Sequence, residues 1–402
     1  MLIFIGLLFP FQKSFAQVDY KTLYPFIDTS YNHIVNDTAL NSFYKKLEEL
    51  KEGKRKQLVI VQVGDSHIQA DFFSGYLRHR FQKEFGNAGR GLIFPYAVAG
   101  SNGPWSYRTS SLTKWSSRRN AIPGTLPIGV AGFTIKTTSA FASININIHD
   151  EDSLNYGFNK FTLFADKGPG CYDYVLKDEN NQLIGYVNSS DMKQDSFATT
   201  ICLVDSLHVV NLNTVMTENS QTYAQLYGIY LENSDTGITY SMIGVNGAQY
   251  DHYNNSIYFS QQLQQLHPDL VIVSLGTNDA YGKDYKNDYF ENQIDEFISE
   301  LKSRNPSTSF LLTSPPDGYK YHKYKNTNVA PAVNVLQTYA QTHNCAFWNF
   351  YNTMGGLGSI YKWYLNHLAQ YDLLHLTKTG YELEGQLLYS SLMESFRKHS
   401  IK

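Results

Sequence analysis

Four short polar motifs hold the residue types that ester chemistry by a serine requires. In chain order they are Gly-Asp-Ser-His with Ser66, a turn with Gly247, Gly-Thr-Asn-Asp with Asn278, and Asp-Leu-Leu-His with Asp372 and His375. A serine nucleophile needs a base, a carboxylate that fixes the tautomer of the base, and donors for the developing oxyanion. His375 is the candidate base and Asp372 its orienting carboxylate. The N–H groups of Ser66 and Gly247 and the side-chain amide of Asn278 are the candidate oxyanion donors.

These motifs follow stretches that read as strands of one sheet. The β-branched run 58–63 ends at Gly64 and is followed by apolar residues at helical spacing, which predicts strand, tight turn and helix. Further strands are predicted at 237–243, 268–275, 309–313 and 345–350, with helices between them. Five strands alternating with helices predict a mostly parallel sheet with helices on both faces. Polar residues at the carboxyl ends of such strands face a common crevice.

The helical pattern is interrupted between residues 103 and 235. Period-two alternation replaces it, for example at Ile144, Ile146 and Ile148, and Gly, Asn, Asp and Ser clusters separate the runs. This pattern predicts an inserted β-sandwich or jelly roll. The expected domains are therefore a first α/β part at 17–102, the insertion at 103–235, and a second α/β part at 236–402. Three aromatic residues near the start of the insertion are candidates for sugar contact or, more simply, for core packing: Trp105, Tyr107 and Trp115.

Residues 1–16 form an apolar run that ends in Ser-Phe-Ala, the pattern of a secretory signal peptide cut after Ala16. We therefore expect an exported protein, periplasmic or extracellular, which is membrane-associated if the segment is retained. No other stretch is long and apolar enough to span a bilayer. Of the three cysteines, Cys171 and Cys202 fall in the β-rich region, where they form a disulfide or remain unpaired, and Cys345 is expected in the core.

The net charge of −3 and the charged fraction of 17% give no basic patch for a nucleic acid. The glycine-rich loop at 86–91 fits neither a phosphate loop nor a dinucleotide fingerprint, and we expect Arg90 within it to form a structural salt bridge. We expect a monomer without a metal or another cofactor.

The four motifs, in this order, resemble the SGNH (GDSL-type) esterase superfamily. The resemblance implies a flavodoxin-like three-layer α/β/α fold, an acyl ester substrate, and the catalytic residues Ser66, His375 and Asp372. It also implies that Gly247, with Gly244 as the second choice, and Asn278 complete the oxyanion hole with the Ser66 N–H. His67 departs from the most familiar form of the first motif, which has an apolar residue there. The β-insertion is similar to the carbohydrate-binding-like module of bacterial peptidoglycan O-acetylesterases, which implies an O-acetylated polysaccharide as partner.

Three other functions compete with an esterase. Gly-Asp-x-His also opens the metallophosphoesterase pattern, in which the Asp and His side chains bind metal ions, but that pattern continues with a Gly-Asn-His motif that this sequence lacks. An acyltransferase acting on a cell-envelope glycan would use the same triad. A glycan-binding protein with an inactive catalytic domain would not need the full set of catalytic residues that this chain retains.

Overall fold

The central sheet is built on the β-branched run Gln57–Gly64, which is almost fully buried. The computed structural model describes residues 20–151, 153–191 and 198–400. The predicted signal peptide at 1–16 lies outside these residues. None of the helices in the described ranges is long and apolar enough to cross a membrane.

The bounds of the strands and helices are as follows. The strands are β1 (Ile34–Val35), β2 (Gln57–Gly64), β3 (Gly91–Ile93), β4 (Tyr107–Ser110), β5 (Ser116–Arg119), β6 (Phe133–Thr137), β7 (Ser143–Ile148), β8 (Phe158–Ala165), β9 (Asp173–Lys177), β10 (Leu183–Val187), β11 (Ala198–Leu207), β12 (Val209–Val215), β13 (Ala224–Glu232), β14 (Gly237–Gly244), β15 (Leu270–Ser274), β16 (Ser309–Thr313), β17 (Tyr319–Lys320), β18 (Tyr324–Lys325) and β19 (Ala346–Trp348). The α-helices are α1 (Tyr20–Leu23), α2 (Asn41–Lys51), α3 (Ser66–Gln69), α4 (Phe72–Phe85), α5 (Tyr250–Asn254), α6 (Phe259–Gln264), α7 (Thr277–Tyr281), α8 (Asn287–Arg304), α9 (Val329–Thr342), α10 (Phe350–Thr353), α11 (Ser359–Leu365) and α12 (Lys378–Ser400), with 3₁₀ turns at Thr29–Tyr31 and Asp37–Leu40.

The central sheet has the strand order β1-β19-β16-β15-β2-β14. Five of its strands run parallel, and β1 adds to one edge in the antiparallel sense. One group of helices packs together as α2, α4 and α12, and a second as α5, α6, α8 and α9. The predicted α/β/α fold with about five parallel strands is confirmed.

The pairing register of the central sheet aligns the carboxyl ends of three strands. Gly64 at the end of β2 pairs with Gly244 at the end of β14 and with Ser274 at the end of β15. The turns that follow these strands therefore start side by side. This alignment, set by the hydrogen-bond ladders of the sheet, brings the first three motifs to one edge.

Two antiparallel sheets lie between β2 and β14 in the chain. One has the order β10-β9-β12-β7-β4, and the other has the order β11-β8-β13-β6-β5 with β3 also paired to β13. Alternation of buried and half-exposed residues along β7 turns Ile144, Ile146 and Ile148 into the core, as the period-two pattern predicts. Because β3 belongs to the second of these sheets, the antiparallel structure starts ahead of the domain boundary predicted at 103.

A buried ion cluster joins α4 to the antiparallel part. The Asp71 carboxylate accepts hydrogen bonds from Arg78 Nη1 at 2.8 Å and Arg90 Nη2 at 2.7 Å, and both arginines are fully buried. Arg90 also donates from Nε to Ser106 Oγ at 3.0 Å. Removing one member of such a cluster leaves a charge buried without a partner. The salt bridge expected of Arg90 is therefore present, and its role is structural.

Candidate active site

Ser66 lies in a tight turn that begins at Gly64, a position where only glycine fits. A Cβ atom on Gly64 would lie 2.2 Å from Ile68 Cγ1 and 2.8 Å from the Ser274 carbonyl oxygen, closer than atoms can approach. The next residue, Asp65, accepts the His67 N–H on Oδ1 at 2.9 Å and so caps α3. Ser66 is the first residue of this short helix, half-buried at the edge of the sheet.

The loop before α12 presents His375 to this serine. Asp372 Oδ1 accepts the N–H groups of Leu374 and His375 at 3.0 and 2.9 Å, and Leu373 adopts a left-handed conformation with φ of 54°. Asp372 Oδ2 lies 2.6 Å from His375 Nδ1, and His375 Nε2 lies 2.9 Å from Ser66 Oγ. The three candidate catalytic side chains thus form one continuous hydrogen-bonded chain.

The charges of Asp372 and His375 fix which atom donates in each hydrogen bond of this triad. Burial acts to raise the pKa of Asp372, but its hydrogen bonds from the His375 ring and from the two backbone N–H groups outweigh burial and lower the pKa to about 2. Burial acts to lower the pKa of His375, and the hydrogen bond and charge of Asp372, together with the charge of Asp65, outweigh it and raise the pKa. Since Asp372 is ionised at neutral pH, Nδ1 of His375 donates to it. Nε2 is then free to accept the proton of Ser66.

Gly247 and Asn278 lie in neighbouring turns beside the serine. Gly247 is exposed, with φ of 83°, in the turn that follows β14. Asn278 lies in the first turn of α7, and its Nδ2 donates to Asp65 Oδ2 at 3.2 Å and to the Ala248 carbonyl oxygen at 3.0 Å. The amide of Asn278 thus ties the turns of Ser66 and Gly247 together. To serve an oxyanion, it must share or exchange one of these two bonds.

Gly244, the second choice for the oxyanion glycine, has a packing role. A Cβ atom at this position would lie 2.3 Å from the backbone nitrogen of Gln69. Gly244 is therefore needed for the close approach of β14 to α3. Gly247 has open space around it, with Ala121 Cβ at 3.7 Å from the position of an added Cβ atom.

His67 is buried directly behind His375, an arrangement that could not be predicted from the sequence. The two imidazole rings are 5.2 Å apart, and His67 Nδ1 is hydrogen-bonded to the Tyr381 hydroxyl at 2.9 Å. Burial lowers the pKa of His67 to about 3, and the neighbouring His375 adds to this effect, so the ring stays neutral. His375 therefore packs against an uncharged ring rather than a second cation.

Two acidic residues within the motifs, Asp65 and Asp279, support turns. Burial raises the pKa of Asp65 to about 6 and that of Asp279 to about 7. Asp279 Oδ1 accepts the N–H of Tyr250 at 3.2 Å. Because Asp65 contacts the His67 backbone while the His67 ring turns to Tyr381, the two side chains do not point to a common ion.

The remaining candidate residues are metal ligands, cysteines and aromatic residues. Within the described ranges, no three His, Cys, Asp or Glu side chains form a group that could hold a metal ion. The thiols of Cys171, Cys202 and Cys345 are free, so the first two do not pair. Of the aromatic candidates, Tyr107 and Trp115 are buried in the core, whereas Trp105 is 65% exposed.

Comparison with known proteins finds one family model that matches part of the chain and one solved structure with the same fold. Residues 213–383 match the model of the GDSL-like lipase/acylhydrolase family. A solved structure described as a peptidoglycan O-acetylesterase in action has 24% identity and a TM-score of 0.74, and the match covers 89% of this chain and 96% of that one. At this coverage, the likeness includes both the central sheet and the antiparallel sheets.

Other structural matches are weaker. A GDSL-like lipase from Bacteroides thetaiotaomicron has 19% identity and a TM-score of 0.31, covering 39% of this chain and 76% of that one. A family two carbohydrate esterase from Cellvibrio japonicus has 11% identity and a TM-score of 0.30, covering 72% and 99%. A search of curated protein sequences found no match.

Proposed function

We propose that this chain is a carboxylic ester hydrolase of the SGNH, or GDSL-type, superfamily and that it removes acyl groups, above all O-acetyl groups, from a polysaccharide. The observation that carries the proposal is the hydrogen-bonded chain from Ser66 through His375 to Asp372, at 2.9 and 2.6 Å. The likeness to a peptidoglycan O-acetylesterase favours a cell-envelope glycan such as peptidoglycan, with a plant polysaccharide as the second choice. Action on either polymer fits an exported protein, periplasmic or extracellular.

In the proposed reaction, Ser66 Oγ attacks the ester carbonyl carbon while His375 Nε2 takes the hydroxyl proton. Ionised Asp372 holds His375 in the required tautomer and stabilises the imidazolium that forms. The tetrahedral intermediate collapses, and His375 returns the proton to the departing sugar hydroxyl. Water then attacks the acyl-enzyme with His375 as base, which releases acetate and restores Ser66.

The oxyanion of each tetrahedral intermediate is assigned to the N–H groups of Ser66 and Gly247 and to the amide of Asn278. Support comes from the hydrogen bonds of Asn278 to Asp65 and to the Ala248 carbonyl, which hold all three donors at the same edge of the sheet. Donors fixed before the reaction stabilise the developing charge without reorganisation, whereas Asn278 must first share or exchange one of its two hydrogen bonds. Each oxyanion donor is worth about a hundred- to a thousand-fold in turnover.

The direct test is acetate release from O-acetylated peptidoglycan, acetylated xylan and a 4-nitrophenyl ester by the wild type and by Ser66→Ala. We expect Ser66→Ala to lower turnover of every ester by at least about 1,000-fold. The exposed Ser299 on α8 provides the matched control, and we expect Ser299→Ala to behave as the wild type. Full activity of Ser66→Ala would sink the proposal, and loss of wild-type activity on strong chelation would favour a metal-dependent mechanism in place of the serine.

Acyl transfer is tested in the same assay by adding an unacetylated glycan acceptor. Hydrolysis releases one acetate for each ester consumed, whether or not the acceptor is present. Acetylated acceptor without matching acetate would instead identify an acyltransferase.

A further inference from the structure

A long stretch that runs from the end of α4 into the insertion carries cations and no carboxylates. Residues 85–149 contain six Lys and Arg residues and no Asp or Glu, although the whole chain has a net charge of −3. Two of these cations have clear structural roles, since Arg90 pairs with Asp71 and Lys136 lies over the Tyr223 ring, 3.9 Å from its centroid. The stretch therefore has positive charge that its own sequence does not neutralise.

Two of the remaining cations line a cavity of about 360 Å³. Its walls are the loop 99–101, the end of β5 with Arg118 and Arg119, and the loop 122–126, with no acidic residue among them. Nothing in the lining therefore offsets the charge of the two guanidinium groups.

Neither guanidinium is neutralised by a carboxylate in the part of the chain that the structure describes. Arg118 donates from Nε to the Ile122 carbonyl oxygen at 3.1 Å and from Nη1 to that of Leu126, which holds the cavity loop in place but leaves its charge intact. Arg119 is half-buried, and its Nε is fully buried without a hydrogen-bond partner among the described residues. A buried donor without a partner is costly, which favours a ligand that supplies an acceptor.

The cavity adjoins the catalytic edge of the sheet. Gln69, at the end of the helix that starts with Ser66, donates from Nε2 to Ser101 Oγ in the cavity wall at 2.8 Å. Its Oε1 accepts the N–H of Asn246, beside Gly247, at 2.6 Å. Gly247 in turn faces Ala121, two residues after Arg119. The side chain of Gln69 thus links the turn of Ser66, the turn of Gly247 and the cavity wall.

We propose that this cavity, with Arg119 as its principal donor, binds a carboxylate carried by the acylated glycan. An arginine fork binds a carboxylate through two charge-assisted hydrogen bonds, the strongest class of polar contact available here. The inference rests on the proposed function and narrows its substrate to anionic glycans. The carboxylate belongs to a uronic acid ring or to a lactyl or peptide substituent of peptidoglycan, which share this chemistry.

The test measures kcat/KM for three acetylated substrates: a uronate oligosaccharide, a peptidoglycan fragment with free carboxylates, and a neutral xylo-oligosaccharide. We expect Arg119→Gln to lower the ratio of anionic to neutral kcat/KM by about 10- to 100-fold. Arg119→Lys, which keeps the charge but not the fork, should lose less. Whichever anionic substrate shows the larger change identifies the source of the carboxylate.

The matched control is Arg108→Gln, which removes an exposed arginine from β4 in the other antiparallel sheet. We expect it to leave the ratio unchanged. A second variant, Thr125→Glu, places a carboxylate at an exposed position in the cavity wall and should lower the ratio even if Arg119→Gln fails to fold. An unchanged ratio in folded Thr125→Glu, or in folded Arg119→Gln, would overturn the inference.

Failure of the proposed function gives a different result. If the wild type releases no acetate from any ester, binding of the uronate oligosaccharide and of the peptidoglycan fragment is measured by calorimetry on Ser66→Ala and on Ser66→Ala combined with Arg119→Gln. Weaker binding of either ligand to the double variant would support the anion site without the esterase. Binding of both ligands that is equal in the two proteins, or absent from both, would refute it.

Discussion

Exchange of Asp372 for Asn tests the proposed role of this carboxylate with little change in shape. Asn keeps an oxygen that accepts the two backbone N–H groups now held by Asp372 Oδ1, so the turn before His375 is preserved. The other oxygen, 2.6 Å from His375 Nδ1, becomes an NH₂ group that donates instead of accepting. The imidazole proton is then forced to Nε2, which faces Ser66 and can no longer accept its proton.

The expected loss of kcat in Asp372→Asn can be divided between two causes, the lost negative charge and the wrong tautomer of His375. The pKa of Asp372 falls from 3.8 to about 2, which corresponds to about 2 kcal/mol for the ionised form. That energy is spread over three hydrogen bonds, and solvent reduces it further because the side chain is 29% exposed. Replacement of the corresponding aspartate by asparagine in a serine protease triad lowers kcat by about 10,000-fold, which is about 5 kcal/mol of activation free energy. The wrong tautomer, more than the lost charge, must therefore account for most of the loss.

The assay is the pH profile of kcat/KM on a 4-nitrophenyl ester. The base must be neutral, so wild-type activity falls as the pH decreases through the raised pKa of His375, which lies above the ordinary value of about 6.5. Without the carboxylate this acidic limb moves to lower pH, and kcat at pH 8 falls by about 10,000-fold. Asp288→Asn, at an exposed position on α8, is the control. A folded variant that keeps more than a tenth of the wild-type kcat, with its acidic limb unmoved, would refute this reasoning.

The remaining predictions concern the supports of the site. Asn278→Ala should lower kcat by about a hundred- to a thousand-fold with little change in KM, and a purely stability-related loss would instead appear as a lower melting temperature at unchanged kcat. Tyr381→Phe leaves the buried His67 ring without its described hydrogen-bond partner, so the free energy of unfolding in urea should fall by about 1–3 kcal/mol. The same substitution should have no such cost in a protein that already carries His67→Leu. Equal costs in the presence and absence of His67→Leu would contradict the pairing. Asp71→Asn removes a counter-charge shared by two buried guanidinium groups, of which Arg78 keeps a second carboxylate, Glu151, at 3.5 Å. It should cost about 3–5 kcal/mol of unfolding free energy, whereas a loss below about 1 kcal/mol would show that the cluster is not needed.

The elements of the central sheet could be predicted because their sequence pattern reflects simple burial. The strand at Gln57–Gly64 is β-branched and ends in a glycine that packing demands, and the strand Ser309–Thr313 has the predicted bounds. Thr377, which directly precedes the last helix, accepts the N–H of Gly380 on Oγ1 at 3.2 Å and so caps that helix. Such local rules act within a few residues, so one sequence is enough to apply them.

Contacts between buried polar side chains could not be predicted in the same way. Arginine is rarely buried, so the helical position of Arg78 gave no reason to place it in the core, and its partner Asp71 adopts an unusual left-handed conformation with φ of 60°. The neutral His67 behind His375 depends on Tyr381, which is more than 300 residues away in the chain. Burial of these polar groups is stable only because the tertiary structure supplies both partners together.

The insertion reaches the site through one of its loops and not through its two connections to the sheet. The chain leaves after α4 and returns as β14, whose first residue, Gly237, pairs with Gln57 at the start of β2. Gly86, directly after α4, lies against Gly237, so both connections lie at the amino ends of the strands, opposite the edge that carries Ser66. The loop around Ser101 nevertheless extends to the turn of Ser66, where Gln69 is hydrogen-bonded to Ser101 and to Asn246. A new substrate contact can then evolve in the insertion without a change in the sheet that aligns the catalytic residues.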